Sequence, residues 1–147
     1  MRATDREVRF ESAGPDQLEI CLQLRREVFI DGQGVSAEIE IDGLDASCQH
    51  FIAWRRERAI GTARLREVDG RAKAERVAVV EGSRGSGIGV GLMARLEDAA
   101  RTLGHRELAL HAQESAIGFY EKLGYEPVGE RFMEADIPHL EMRKRLG

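Results

Sequence analysis

The chain lacks the features that mark several protein classes. Its two cysteines, Cys21 and Cys48, are too few for a disulfide framework, and Cys21 falls on the apolar face of a helical pattern. No apolar run is long enough to span a bilayer, and the charged N-terminus has no signal-peptide core, so the cytoplasm is the expected location and no membrane partner is expected. Positive charge is not in excess either. With 22 Lys and Arg against 26 Asp and Glu, the formal charge is −4, which argues against a general nucleic-acid binder. Lysine occurs only at positions 73, 122 and 144, a preference for arginine that reads as codon usage rather than function. Repeats, low-complexity tracts and linkers are missing too. What remains is 147 residues, 42% hydrophobic and 33% charged, expected to form one soluble domain large enough to bury a core.

The most informative stretch is Arg84-Gly85-Ser86-Gly87-Ile88-Gly89. It follows an apolar β-type run, Val77-Ala78-Val79-Val80, and opens a helical pattern from Ile88 to Leu103. A strand that turns through small residues into a helix leaves several N–H groups unpaired and aimed at one point. The helix dipole adds partial positive charge there, which suits a phosphate or diphosphate. Side chains would block close approach of the ligand, hence the glycines. Arg84 adds a forked set of charged donors. Spacing excludes two known loops. A Walker A loop needs a Lys followed by Ser or Thr, and no Lys lies near this turn. The dinucleotide fingerprint fails because Val90 and Leu92 stand where its last glycine should be, and the Gly89, Gly91, Ala94 variant lies inside the helix.

A second block, Gln113 to Tyr125, starts near an N-cap candidate, Ser115, and closes on Gly124, a natural helix terminator. Together, Arg-Gly-x-Gly-Ile-Gly after Val-Ala-Val and Phe119-Tyr120-Glu121-Lys122-Leu123-Gly124-Tyr125 resemble the two signatures of the GNAT superfamily of N-acetyltransferases. They occur in the expected order, with one strand pattern, Glu107 to His111, between them. Glu81 and Ser83 depart from the usual residues of that family without removing a backbone donor.

Periodicity and turn signals place a strand at 8–11 and a helix from Pro15 in which Leu18, Leu22, Arg25 and Phe29 recur. An irregular acidic stretch, 31–47, has room for a short helix. Strands are expected at 49–55, 59–68 and 72–80, with turns at Glu57-Arg58 and Asp69-Gly70. The loop, the long helix, a strand, the motif helix and two last strands near 127–132 and 140–144 complete the order. This is an α/β domain. The resemblance implies the GNAT fold: a mixed sheet of six to seven strands, the fourth and fifth splayed apart, flanked by about four helices.

The resemblance also implies roles. Acetyl-CoA would be the cofactor and CoA a product. Its diphosphate would sit on Arg84 to Gly89, its pantetheine arm against Val77, Ala78 and Val79, with Gln113, Tyr120 and Lys122 nearby. Amine attack on a thioester needs a group to take the amine proton, a donor for the developing oxyanion and a proton for the departing sulfur. A main-chain N–H near Val79 would serve the oxyanion, and Tyr120 the sulfur, although Tyr120 could instead only shape the pocket. For the base, Glu75 shares strand parity with Val77, His111 ends the fifth strand, and His139 lies between the last two strands; ordered water is an alternative to all three. The acceptor would be a small-molecule amine, or else a peptide amine. Glu38, Glu40, Asp42 and Asp45 form an acidic stretch that could attract a cationic amine or merely be solvated. Phe29, Glu38, Asp42 and His139 are the acceptor-site candidates. No metal is expected. A homodimer is allowed by analogy, and a GNAT-like acyl-CoA sensor without turnover is the competing reading.

Overall fold

In the computed structural model, which describes residues 7–147, seven strands hydrogen-bond into a single sheet. They are β1 (Val8–Ala13), β2 (Gln49–Arg55), β3 (Arg58–Val68), β4 (Arg71–Val79), β5 (Glu107–Gln113), β6 (Glu126–Glu134) and β7 (Ile137–Arg145). The spatial order is β1-β2-β3-β4-β5-β7-β6. Hairpins join β2 to β3, β3 to β4 and β6 to β7. Asp69-Gly70 and Ala135-Asp136 both take positive φ, the geometry whose twist matches the strands it connects. Only β4 and β5 run parallel, and a parallel pair needs a crossover, here a helix.

That helix, α3 (Ile88–Thr102), buries Ile88, Leu92, Met93, Leu96 and Ala100, one face at helical spacing. It stops at Gly104, φ 93°, where the His105 amide reaches back to the Ala100 carbonyl. The other helices are α1 (Leu18–Arg25), α2 (Ala37–Glu40) and α4 (Ile117–Lys122). Adjacent residues of β3 show that α3 and α1 cover opposite faces. A Cβ at Gly61 would lie 3.1 Å from Ile88 and Leu92, whereas the Thr62 side chain lies beside buried Cys21 of α1. Close packing of α3 rests on its own glycines as well: a Cβ at Gly91 would strike the Phe10 ring of β1, and one at Gly89 would meet Phe119 at 3.0 Å.

Three details differ from the sequence reading. The first helix buries Cys21, Leu24, Arg25 and Val28 rather than the Leu18 and Leu22 line, and residues Arg26–Asp31 wind as a π turn, which shifts Phe29 out of α-helical phase. Ser115 does not cap α4; it sits inside a 3₁₀ turn, Glu114–Ala116, that leads into the helix. β4 also carries a bulge. Thr62 pairs with Ala78 and Arg64 with Glu75, so two steps of β3 face three of β4, and Arg76 takes φ 55°. Simple alternation from Glu75 to Val77 is therefore broken.

The splay is real. β4 and β5 pair only at Ala72↔Leu108, Lys73↔Ala109 and Ala74↔Leu110. Beyond that point β4 continues to Val79 and β5 to Gln113 without pairing to each other, which opens a fork in the middle of the sheet.

Candidate active site

The glycine loop closes one end of the fork. A short 3₁₀ turn, Glu81–Ser83, leads from β4, and Glu81 is exposed to solvent. Gly85 has φ 84° and Gly87, the N-cap of α3, φ 79°. A Cβ at either would meet nothing within 4 Å, so both glycines border open space. The first amide of the helix that finds a main-chain partner is that of Gly91, on the Gly87 carbonyl. Those of Ile88, Gly89 and Val90 precede it and have no intrahelical acceptor. The Ser86 hydroxyl donates to the Ser83 carbonyl at 2.6 Å and stiffens the turn. Arg84 donates through Nε to the Val79 carbonyl at 3.0 Å, which ties the guanidinium to the end of β4.

A cavity of about 590 Å³ runs from Arg84 along the fork. The bulged part of β4 forms one wall, including Val77, Ala78 and Val79, and Leu110, His111 and Gln113 of β5 form the facing one. The Val80 amide bonds to Ile60 in β3, so strand alternation turns the Val79 N–H toward the open side. Tyr120 of α4 lines the same cavity, its ring edge-on to Phe119 and Tyr125 at 5.0 and 5.8 Å. Burial pushes its phenol up to about 12. Its hydroxyl has no hydrogen-bond partner among the described residues. Gln113 exchanges amide hydrogen bonds with Gln33, at 2.9 and 3.2 Å, across the mouth of the fork. Lys122 is exposed at the end of α4 and does not line this cavity.

Farther in, His111 and His139 come together as the sequence could not show. The His111 Nδ1 lies 2.9 Å from Glu134 Oε1, and the His139 Nδ1 lies 2.7 Å from the Ile137 carbonyl. Both acceptors require the proton to be on Nδ1. Phe132 stands between the imidazoles, edge-on to one at 4.9 Å and stacked with the other at 6.0 Å. The hydrogen bond from His111 holds the Glu134 carboxyl below its usual range. Glu134 carried no motif; only the β6–β7 hairpin brings it here.

Glu75 fares differently from its expected role. Burial alone would raise its pKa, but Arg66, Arg64 and Lys73 surround the carboxylate and hold it down at about 2. A carboxylate so held is a weak proton acceptor, and its oxygens are occupied. The acidic stretch is corrected in the same way. Arg25, only 1% exposed, bonds Glu40 at 2.8 Å and Asp45 at 2.6 Å. Arg64, equally buried, bonds Asp42 at 2.8 Å and Asp45 at 2.9 Å. Arg76, at the bulge, reaches Glu40 at 2.6 Å and Asp42 at 3.3 Å. Its three central carboxylates are thus neutralised by arginines from α1, β3 and β4, and the segment is a clasp rather than a free acidic lid. Glu38 is exposed on α2 and does not line the cavity; Phe29, Asp42 and His139 do. Among the described residues no cluster could hold a metal ion, and no helix is long and apolar enough to cross a membrane.

Known proteins share this fold and sequence pattern. A family model described as an acetyltransferase (GNAT) domain matches residues 15–146. The uncharacterized N-acetyltransferase YjcF of Bacillus subtilis is 40% identical over 130 residues, covering 88% of this chain and 93% of its own length. A crystal structure of an acyl-CoA N-acyltransferase from Pseudomonas aeruginosa superposes with a TM-score of 0.83 at 32% identity, over 94% of this chain and 99% of that one. The Escherichia coli protein ElaA superposes with a TM-score of 0.82 at 28% identity, over 95% of this chain and all of its own.

Proposed function

The chain belongs to the GNAT acetyltransferase family, and from that premise we propose that it moves the acetyl group of acetyl-CoA directly to a primary amine, with both substrates bound at once. The observation that carries this reading is the fork between β4 and β5, with a glycine-lined row of unpaired amides at one end and an unpartnered phenol beside it. The residues fit the carrier. Gly85 and Gly87 leave room where any side chain would intrude, and Arg84 with the first amides of α3 would hold a diphosphate. The open edges of Val77 to Val79 and of β5 would pair with the amides of the pantetheine arm as an added strand does.

Acetyl-CoA supplies an activated acetyl group on sulfur. In the transfer one C–S bond breaks, one N–C bond forms, one proton leaves the amine and one arrives at sulfur. The Val79 N–H faces the fork and would hold the carbonyl oxygen as negative charge develops on it. Tyr120 keeps its proton throughout the neutral range and would release it to the sulfur. His111, on the facing wall, takes the place that the surroundings of Glu75 deny to that carboxylate. The acceptor would enter past Phe29 and Ile39 on one side and Ile137 and His139 on the other. These walls suit an amine with an apolar body, whether on a small molecule or a peptide, and a cationic preference loses its basis with the neutralised acidic segment.

The test is direct. Purified protein with acetyl-CoA and a panel of small primary amines and amine-bearing peptides should release free thiol with at least one of them. Thermal stabilisation by CoA without thiol release on any amine would overturn the transfer reading in favour of an acyl-CoA-binding module.

A further inference from the structure

Glu134 belongs to no motif, yet it ends β6 at the tip of a hairpin and reaches across to β5. The turn that follows, Ala135-Asp136 with φ 52° and 61°, brings β6 straight back into β7. This sets Glu134 opposite Ile137 and Phe132 opposite His139, so the hairpin carries a carboxylate, a ring and an imidazole as one unit. The unit meets His111, which β5 holds against Glu141 of β7. The groups facing His111 are therefore Glu134 from β6, His139 and Glu141 from β7, and Lys73 from β4.

The two histidines are not equivalent. His139 is 6% exposed, and its Nε2 faces the second Glu134 oxygen at 3.8 Å. His111 gives its Nδ1 proton to Glu134, and its Nε2 has no hydrogen-bond partner among the described residues. Both Tyr120 and His111 line the fork cavity, from α4 and β5. From this juxtaposition we propose that Glu134 and His111 form a carboxylate–imidazole dyad in which Glu134 is a positioning residue, fixing the tautomer that leaves His111 Nε2 free to take the amine proton. The assignment rests on the acetyl-transfer reading and adds to it the residue that positions the proton-accepting imidazole.

In the step, the amine nitrogen forms its bond to the acetyl carbon and its proton passes to His111 Nε2. The Nδ1 proton stays where it is, and Glu134 remains a carboxylate that stabilises the imidazolium. A carboxylate that only braced the hairpin would serve as well in amide form. The Gln side chain is of similar shape and can still accept from Nδ1, but it supplies no counter-charge. In Glu134→Gln we expect turnover to fall about tenfold to a hundredfold with the KM for acetyl-CoA unchanged, less than the loss of a whole general acid–base group because the imidazole remains. His111→Gln should lower turnover further, and the double variant should be no slower than His111→Gln alone, because the carboxylate acts only through the imidazole.

A readout without turnover is nitrogen-15 NMR of the imidazoles in the free protein. Neutral His111 should carry its proton on Nδ1. A neutral His111 protonated on Nε2 would overturn the dyad, as would a Glu134→Gln enzyme with unchanged turnover, or rate losses that multiply in the double variant. If the unsubstituted protein released no thiol with any amine, the transfer reading itself would fall. An active enzyme with an indifferent Glu134 removes the dyad alone.

Discussion

At the scale of single residues, the site is decided by which titratable groups are committed and which are not. Glu75 has three cationic neighbours and Tyr120 has no hydrogen-bond partner among the described residues, although both line the same cavity. Desolvation acts alone on Tyr120 and moves it toward the protonated form, which is the form an acid needs. Tyr120→Phe keeps the ring that packs edge-on against Phe119 and Tyr125 and removes only the hydroxyl. Its turnover should fall by about 10²-fold, the lower end of what a positioned acid contributes, while CoA affinity stays nearly the same. Steady-state kinetics with calorimetry of CoA binding would check it, and an unaltered rate would remove Tyr120 as the acid.

Elements supply what residues alone cannot, since both the amide cradle and the fork are backbone features. Gly87 caps α3 with φ 79°, and nothing lies within 4 Å of where its Cβ would be. Gly87→Leu would add strain at a positive φ and fill space the diphosphate is proposed to occupy. Strain alone can be separated from obstruction, because Gly70 in the β3–β4 turn has φ 75° and equally open surroundings away from the site. Gly87→Leu should weaken acetyl-CoA binding by at least about tenfold, or 1.4 kcal/mol, whereas Gly70→Leu should leave affinity unchanged. Equal affinities in a titration would refute the placement. Both signatures were legible in the sequence because they are local: strand, small residues and helix follow one another within twenty positions. The bulge at Arg76 was not, since arginine gives no sign that it will take φ 55°, and one inserted residue undoes the period of two from which Glu75 was read. The π turn at Arg26–Asp31 displaced Phe29 for the same kind of reason. Glu134 and the arginine partners of the acidic stretch were hidden by distance, as with Arg25 and Asp45, 20 residues apart, or His111 and Glu134, 23 apart.

Across the whole molecule, arginines tie the segment from Glu40 to Asp45 onto the sheet, so one wall of the fork cavity and the fold share one set of ion pairs. Breaking such a set leaves charges buried without partners, which is far costlier than losing a surface pair. The linkage to pH follows from the signs. Glu75 lies at about 2 instead of 4.5, and Asp42 and Asp45 are also lowered. Groups depressed in the folded state contribute stability that is present above their unfolded values and lost as pH falls through the folded ones. Stability should therefore decline from about pH 4.5 downward and continue to do so to about pH 2. Burial raises the Cys21 and Cys48 thiols from 9.0 and the Tyr120 and Tyr125 phenols from 10.0, so the unfolded chain ionises first, and stability should decline again above about pH 9. Between these limits the urea midpoint should be nearly flat. Glu75→Gln separates this linkage from general acid sensitivity. The variant should be less stable than the parent at pH 7, because Arg64, Arg66 and Lys73 lose a shared counter-charge. It should then lose less stability per pH unit between pH 4.5 and 2, because one depressed carboxylate no longer titrates. Urea midpoints measured at each pH would show the two curves converging on the acid side. Parallel curves would mean that Glu75 does not carry the acid dependence assigned to it.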